Sequence, residues 1–375
     1  MPTRINSKKI SVFIPVYRES DLLGSLLKDL TSDPYEQKEI FVTIDEPTDQ
    51  SLKIVKKFDD IVKFIVNKKR NGKVNAINEA VKRSKGDILL FLDADVKISK
   101  NSKDFLKSVV NEIIYADVLD IKKRIIRDSA IAKMVNYEYI SFNFANWMFF
   151  KTIKRCMGIN GAAFAIKRKC FDEVGGFAKI VSEDLDLGTK TLLKNKRFKY
   201  TRKVEVFTQS PSDWKKWFTQ RKRWGIGAGL WIKRHYKNLI RYAVKYPYVS
   251  IPSLLILFPS LILFILNYFL SNFLTYKVLT VLLMFLATKF SLLIAPVFFI
   301  SMGTMLVGNL IAIFMSLVFY SILFYFASRK LKFEFNVFEF FVYFFFYQPF
   351  SFLILIIGVI KAIVFSQQNL ADWKV

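Results

Sequence analysis

The sequence predicts an α/β domain with a doubly wound, mostly parallel sheet, followed by interfacial amphipathic helices and an all-α transmembrane region. Short apolar strands alternate with helical segments over the first hundred residues, and residues 194–247 carry 16 Lys and Arg against 2 acidic residues. Long uncharged apolar runs then dominate the chain. The predicted boundaries are 1–200 for the α/β domain, 201–247 for the interfacial helices, 248–366 for a membrane region of about four helices and 367–375 for a cytosolic tail.

The α/β prediction rests on seven segments in alternating order. The predicted strands are Lys9–Ile14, Ile40–Ile44, Val62–Val66 and Ile88–Leu92, and the predicted helices are Asp21–Leu30, Asp49–Phe58 and Asn75–Arg83. We expect Ser20 to cap the first helix. Ligands of a doubly wound sheet gather beyond the carboxyl ends of its strands. Chemistry is therefore expected at the polar ends of these strands, which contain Pro15, Tyr17, Glu19, Asp45, Glu46, Asp93 and Asp95.

The C-terminal third has the composition of a membrane protein. Spans of about 20 apolar residues fit near 249–270, 278–300, 304–327 and 338–364, with a turn expected at Ser301, Gly303 and Thr304. The basic stretch beside the first span predicts a cytosolic head, and the polar segment Met1–Lys9 predicts no signal peptide. Three spans are the alternative, because four would place the basic loop Ser328–Asn336 on the outer side.

Several function classes lack their motifs. No G-x-G-x-x-G follows the first strand and no P-loop occurs, so neither a dinucleotide nor a P-loop site is indicated. Because His235 is the single histidine, a histidine-based hydrolase is not expected, and its basic neighbours place it on the surface. Cys156 and Cys170 are expected to be buried thiols. Basic residues interleaved with Trp beside a membrane span favour anionic lipid headgroups over nucleic acid.

Two carboxylates follow the fourth predicted strand in the sequence Asp93-Ala94-Asp95. Like charges this close repel, and burying them is costly unless a cation is present. A hard divalent cation, Mg²⁺ or Mn²⁺, satisfies that need and commonly brings phosphate oxygens with it. The alternative is a pair of strand-end aspartates that face solvent.

A second acidic cluster, Ser182-Glu183-Asp184-Leu185-Asp186, is unusual in a chain with a net charge of +26. It contains either a general base or a helix N-terminus capped by Ser182, and the two interpretations are compatible, since a cap would fix the direction of Asp184. Farther on, Gln220–Trp224 lies in a basic, Trp-rich stretch that is typical of a helix in the membrane interface.

These motifs occur in a set order along residues 8–235. The set comprises Ile14–Glu19, Asp45, Asn71–Lys73 with Asn78, Asp93–Asp95, Asn160–Ala163, Val174–Phe177, Glu183–Asp184, and Gln220 with Arg223 and Trp224. With this set the chain resembles the family-2 glycosyltransferases of the GT-A fold, in the membrane-bound branch of cellulose, chitin, hyaluronan and poly-N-acetylglucosamine synthases and ceramide glucosyltransferases. The resemblance implies an inverting, metal-dependent hexosyltransferase with a sugar-nucleotide donor, for which a UDP-sugar is the family expectation.

The resemblance also implies roles for the matching residues. The nucleotide would be held by Pro15, Tyr17, Glu19, Asp45 and Lys73. Asp93 and Asp95 would lie at the sugar-nucleotide, with Asp95 the more direct metal ligand. Glu183 and Asp184 would form the catalytic acidic motif, in which Asp184 deprotonates the acceptor hydroxyl. The acceptor and diphosphate site at the membrane surface would be lined by Gln220, Arg223 and Trp224.

Three hypotheses about the activity remain open at this point. The enzyme either extends a saccharide chain or adds one sugar to a lipid such as a polyprenyl phosphate or glycolipid. The polymer synthases carry membrane helices before the catalytic domain and none is expected here, which favours single addition, whereas the motif of Gln220, Arg223 and Trp224 favours chain extension. A transporter with a regulatory head is the third hypothesis, supported by Lys289 within a predicted span. Nothing in the sequence assigns an oligomeric state.

Overall fold

The computed structural model of the chain describes residues 8–100, 102, 104–262, 281–282, 284–286, 288–289 and 294–365. It divides into two compact units. Met1–Ser253 forms the first unit together with Leu353–Val375, and Leu254–Phe352 forms the second. The first unit contains the whole sheet and every residue of the candidate site.

Eight strands form one sheet in the order β3-β2-β1-β4-β7-β6-β8-β5. They are β1 (Ile10–Tyr17), β2 (Lys38–Asp45), β3 (Lys63–Asn67), β4 (Ile88–Leu92), β5 (Val96–Ile98), β6 (Val118–Ile125), β7 (Ala163–Lys167) and β8 (Phe198–Thr208). The four strands expected from the sequence are confirmed. They are mutually parallel, with β1 between β2 and β4, whereas β7 runs antiparallel to β4 and β6. The sheet is therefore mixed, and its parallel half ends where the polar residues collect.

Nine helices precede the C-terminal apolar segments in the described residues. They are α1 (Leu23–Thr31), α2 (Asp49–Phe58), α3 (Lys73–Arg83), α4 (Phe105–Ile113), α5 (Ala130–Thr152), α6 (Arg168–Glu173), α7 (Glu183–Leu193), α8 (Trp214–Lys245) and α9 (Pro247–Leu257). The expected cap of α1 is wrong. Ser20 lies too far before Leu23, and its hydroxyl instead donates a 2.7 Å hydrogen bond to the carbonyl of Ala94. Ser20 thereby ties the loop after β1 to the Asp93–Asp95 segment.

Aromatic side chains on neighbouring strands form the floor beneath the site. Phe13 of β1 stacks on Phe91 of β4 with ring centroids 5.2 Å apart, and Phe91 stacks on Phe164 of β7 at 5.0 Å. Phe177 meets Phe91 edge to face at 5.1 Å. All four rings are buried, so the strand ends that carry the polar residues rest on a closely packed apolar layer.

The sheet continues beyond the expected boundary at residue 200. β8 extends to Thr208, pairing with β6 along most of its length and with β5 near its end. The segment expected to hold only interfacial helices thus begins with a strand and continues as one helix, α8, of 32 residues. Alternating buried residues such as Val204 and Val206 explain why this basic stretch is a strand.

Two C-terminal helical stretches, Asn309–Leu331 and Val337–Val364, are long and apolar enough to cross a membrane by length and composition. The turn expected at Ser301, Gly303 and Thr304 is wrong, because the helix Ile294–Leu331 continues through these positions. They contain no proline, so every peptide N–H remains available to the helix. The span expected at 249–270 is interrupted, since α9 ends at Leu257, two residues before Pro259. Residues 263–270, the residues 278–280, 283, 287 and 290–293 of the span expected at 278–300, and the tail 367–375 lie outside the described residues.

Candidate active site

A small pocket opens at the carboxyl ends of β1 and β4. Its charged lining residues are Lys73, Asp93, Glu183 and Asp184, and Pro15 and Gly161 also line it. Its apolar lining consists of Ile77, Phe91, Leu92, Phe164 and Phe177. Carboxylates from two motifs that are about ninety residues apart in the sequence therefore face the same space.

Lys73 bridges the two acidic motifs at the first residue of α3. Its Nζ lies 2.8 Å from Oδ1 of Asp93 and 3.2 Å from Oε1 of Glu183. Burial lowers the pKa of Lys73, but the charges of Asp93 and Glu183 outweigh that effect and raise the pKa above its ordinary value. The ammonium therefore stays charged and offsets the repulsion between the carboxylates.

The buried Asp45 fixes the loop that leads to Lys73. Its Oδ2 accepts hydrogen bonds from the backbone N–H groups of Asn71 and Gly72 at 2.9 and 2.7 Å, and its Oδ1 accepts one from Asn67 Nδ2 at 2.9 Å. Gly72 has a φ of 88°, which a side chain would disfavour. Asp45 therefore acts on the pocket through the backbone, by setting the position from which Lys73 reaches the carboxylates.

Asp184 is held by backbone donors on both of its oxygens. Gly161 N–H donates to Oδ2 at 2.9 Å, and Leu185 N–H donates to Oδ1 at 2.8 Å. A Cβ at position 161 would lie 3.0 Å from Oδ2, so only glycine allows this approach without displacement. The cap expected from Ser182 is absent, because its side chain makes no capping hydrogen bond to α7. Gly161, on the loop before β7, takes over the orienting role.

The environment of Asp184 also shifts its proton affinity. Burial and the neighbouring charge of Glu183 raise its pKa to about 6, although Lys73 and the two backbone donors act in the opposite direction. A carboxyl with such a pKa is ionised at neutral pH and is a stronger base than an ordinary aspartate.

Asp93 and Asp95 form the other acidic motif, and of the two it is Asp95 whose hydrogen bonding is incomplete. Its Oδ1 is buried and has no hydrogen-bond partner among the described residues. Burial and the charge of Asp93 raise the pKa of Asp95 to about 7, while Lys73 and Arg223 lower it. An unpartnered buried oxygen next to a second carboxylate fits a divalent cation.

The described residues contain no cluster of three or more His, Cys, Asp and Glu side chains that could hold a metal. A cation at Asp93 and Asp95 would need its remaining ligands from substrate oxygens and water. Mg²⁺ commonly binds in this way, through one or two carboxylates and substrate phosphates. The donor set therefore fits a cation that arrives with its substrate.

Three expected nucleotide residues, Tyr17, Glu19 and Asp45, do not line the pocket. The half-exposed Tyr17 donates its hydroxyl to Oε2 of Glu46 at 3.1 Å, and the guanidinium of Arg70 lies 4.6 Å from its ring centre. Glu19 accepts a hydrogen bond from the hydroxyl of Thr48. These contacts join the loops after β1, β2 and β3 into one rim beside Lys73.

The three residues expected on the acceptor side lie on α8 and not in the pocket lining. Arg223 is exposed, yet its charge acts on Asp95. Trp224 packs edge to face on Phe142 of α5, with centroids 6.4 Å apart. Gln220 accepts a 3.1 Å hydrogen bond from Arg221. Within the motif, the charge of Arg223 lowers the pKa of Asp95, whereas Trp224 packs against α5.

Sequence reasoning missed Arg221, which lies inside the same motif. Its side chain is fully buried, forms an ion pair with Glu138 of α5 and stacks between Trp217 and Trp224, at 5.5 and 4.2 Å from their ring centres. The spacing of four residues between Trp217 and Arg221 places both on one face of α8 and was the available signal. Arg221 therefore attaches the helix that carries Arg223 to α5.

We expect Arg221→Ala to destabilise the protein by about 3 kcal/mol or more, because it removes a fully buried guanidinium together with its ion pair to Glu138 and its packing on Trp217 and Trp224. The measurement is thermal unfolding of the purified protein. Lys222→Ala is the matched control, since Lys222 is an exposed neighbour on the same helix and its loss should leave the midpoint unchanged. Equal midpoints for the two variants would contradict this account.

The expectation that His235 lies on the surface is wrong. Its ring is buried, and Nε2 lies 2.8 Å from Oδ1 of Asp186 on α7. The sequence placed His235 on a basic helix but contained no indication that this helix would pack against α7.

Two family models and several curated proteins are similar to this chain. The model of glycosyl transferase family 2 matches residues 11–174, and that of glycosyl transferase family group 2 matches residues 127–366, well over half of the chain. The probable glycosyltransferase YdaM of Bacillus subtilis is 28% identical over 58% of this chain and 55% of its own length. The poly-beta-1,6-N-acetyl-D-glucosamine synthase of Staphylococcus aureus is 26% identical over 58% of this chain and 54% of its own length.

The chain spans about half the length of these curated relatives. A solved structure, the mannosyltransferase PcManGT from Pyrobaculum calidifontis in complex with GDP-Man and Mn²⁺, overlaps 81% of this chain and 86% of its own at 18% identity and a TM-score of 0.49. An overlap at that level carries no functional argument. The two family models, together with the ordered motifs, establish the resemblance noted in the sequence: the chain belongs to the family-2 glycosyltransferases.

Proposed function

We propose that this chain is a membrane-embedded, inverting glycosyltransferase that transfers a sugar from a nucleotide-diphosphate sugar to a saccharide or lipid-linked acceptor. The observation that carries the proposal is that Asp93 and Asp184 line one pocket with Lys73 between the acidic motifs. One motif supplies a base and the other faces the donor, as a displacement at an anomeric carbon requires.

The donor nucleotide is proposed to occupy the rim formed by the loops after β1, β2 and β3. Tyr17 offers a half-exposed ring, and Pro15 and Lys73 continue the surface into the pocket. Glu19 lies on the same rim, and Asp45 contributes by holding the backbone at Asn71 and Gly72. The diphosphate would then point toward Asp93 and Asp95.

Asp184 is the proposed base. Its carboxylate takes the proton of the acceptor hydroxyl while that oxygen forms a bond to the anomeric carbon and the bond to the diphosphate oxygen breaks. The nucleoside diphosphate departs from the opposite face, so the configuration at the anomeric carbon inverts. The adjacent Glu183 pairs with Lys73 and keeps the cation beside the reacting groups.

The leaving group is a nucleoside diphosphate, and nearby positive charge stabilises the negative charge that develops on it. Asp93 and Asp95 would hold Mg²⁺ or Mn²⁺, which when bound neutralises charge that develops on the diphosphate. Arg223 is proposed to donate to the same diphosphate, because its planar guanidinium can make two parallel hydrogen bonds to phosphate oxygens. Gln220 and Trp224 are proposed to border the acceptor side of the site.

The raised pKa of Asp184 predicts how the rate depends on pH. A base works when it is ionised, so kcat/KM should be constant above its pKa of about 6 and fall about tenfold per pH unit below it. The measurement is sugar transfer between pH 4.5 and 8 at saturating metal and limiting donor. An acid limb near the ordinary aspartate value of about 4 would contradict the assignment.

Membrane embedding and product class are further parts of the proposal. The apolar stretches Asn309–Leu331 and Val337–Val364 and the basic residues of α8 support a membrane-bound enzyme with a cytosolic catalytic domain. The names of the staphylococcal relatives favour polysaccharide synthesis as the activity. Single addition of a sugar to a lipid is the alternative.

The test combines nucleotide release with product analysis. Purified protein is screened with several sugar nucleotides, with and without Mn²⁺, for release of the nucleoside diphosphate. Membranes supplied with a radiolabelled donor should then form a high-molecular-weight product. A product that is one sugar longer and stays extractable into organic solvent would assign single addition, and no release with any donor would overturn the proposed activity.

A further inference from the structure

A buried ionic cluster joins the helix of the proposed base to the helix of the acceptor-side residues. Asp186 on α7 is fully buried and lies 2.8 Å from Lys190 Nζ, 2.8 Å from His235 Nε2 and 3.3 Å from Arg234 Nε. Lys190 belongs to α7, whereas Arg234 and His235 belong to α8. A buried carboxylate is costly unless it is surrounded by donors, so Asp186 binds the two helices together.

Two more close approaches extend this cluster into a seam between the helices. We define the seam as Ser182, directly before α7, Asp186 and Thr189 on α7, and Gly227, Trp231 and His235 on α8. Trp231 Nε1 donates to the hydroxyl of Thr189 at 2.9 Å. At Gly227, an added Cβ would lie 2.1 Å from the hydroxyl oxygen of Ser182. The three α8 residues are four positions apart and therefore lie on one helix face.

The seam adjoins both halves of the proposed reaction centre along the chain. On α7, Asp186 follows the base Asp184 by two residues within the first helical turn. On α8, Trp224 and Arg223 precede Gly227 by three and four residues, which is about one turn. Any slippage of α8 along α7 would therefore move the acceptor-side residues relative to the base.

We propose that Asp186 and His235 are positioning residues that keep the acceptor site on α8 in register with the base on α7. The inference rests on the proposed glycosyltransferase function and extends it to residues that touch neither donor nor acceptor. With the register lost, water reaches the base in place of the acceptor. Water then gives its proton to Asp184, its oxygen bonds to the anomeric carbon, and free sugar and nucleoside diphosphate leave.

The predicted effect is a change in the ratio of donor hydrolysis to sugar transfer. We expect His235→Phe, which removes one of the three partners of Asp186 and the buried one on α8, to raise the ratio of nucleotide released to sugar transferred several-fold. His235→Gln keeps an N–H donor at a similar reach and should restore a ratio near that of the wild type. Lys237→Gln, an exposed neighbour on α8, is the matched control.

The ratio does not depend on how much protein is folded, because unfolding lowers release and transfer alike. If His235→Phe cannot be purified, Trp231→Phe tests the same seam by removing only the N–H donor to Thr189. A ratio equal to the wild type in these variants would overturn the inference while the proposed function stands. A wild-type protein that transfers no sugar from any donor would overturn both.

Discussion

Asp184→Asn is expected to lower kcat/KM for sugar transfer by about 10³-fold, because the amide cannot accept the acceptor proton. The replacement has the same shape, and its carbonyl can still accept a hydrogen bond from Gly161 or Leu185. The variant should therefore fold normally. The measurement is transfer of radiolabelled sugar by purified protein, with donor binding measured separately by nucleotide displacement.

Asp172→Asn provides the matched control for this change. Asp172 is exposed on α6, so the same chemical substitution there should leave transfer unchanged. Donor affinity of the Asp184 variant should remain within a few-fold of wild type, since the base faces the acceptor. Transfer at more than a tenth of the wild-type rate would remove Asp184 from the role of base.

Asp95→Asn is expected to reduce transfer by about 10²- to 10³-fold and to weaken Mn²⁺ binding, because one of two carboxylates proposed to hold the cation loses its charge. The unpartnered Oδ1 of Asp95 and the absence of a third ligating carboxylate among the described residues make this site sensitive to a single loss. The measurements are Mn²⁺ titration in the presence of nucleoside diphosphate and transfer at saturating metal.

The pKa of Asp95 makes a related prediction about metal affinity. A cation must displace the proton that burial and Asp93 favour, so apparent affinity should fall as the pH drops below about 7. Chelator should abolish transfer and added Mn²⁺ should restore it. Asp60→Asn, at an exposed aspartate after α2, is the control. Full transfer in chelator would contradict the metal assignment.

Secondary structure was largely predictable because strands and helices follow local periodicity. The strand Ile88–Leu92 and the helix Asp49–Phe58 have the expected bounds. Failures occurred at serines that precede a helix but whose side chains do not cap it. Ser20 and Ser182 both precede helices and look like caps, yet one donates to Ala94 and neither caps.

The candidate site was predictable in composition but not in arrangement. The motifs named Asp93 and Asp184, and both line the pocket. They did not indicate that Asp45 acts through the backbone of Asn71 and Gly72. Nor did they distinguish Arg221, buried against Glu138, from the exposed Arg223 two residues later. Burial depends on which helix packs against the motif, and a residue pattern does not record that.

The amino-acid order by itself determined the alternating α/β pattern, the apolar C-terminal segments and the acidic motifs, because each depends on residues close together in the chain. Only the tertiary structure decided that Gly161 orients Asp184 across 23 positions, that His235 meets Asp186 across 49 and that Arg221 meets Glu138 across 83. Such contacts arise when whole elements pack together. Their geometry is set by the volume and charge of many side chains at once, which no short segment contains.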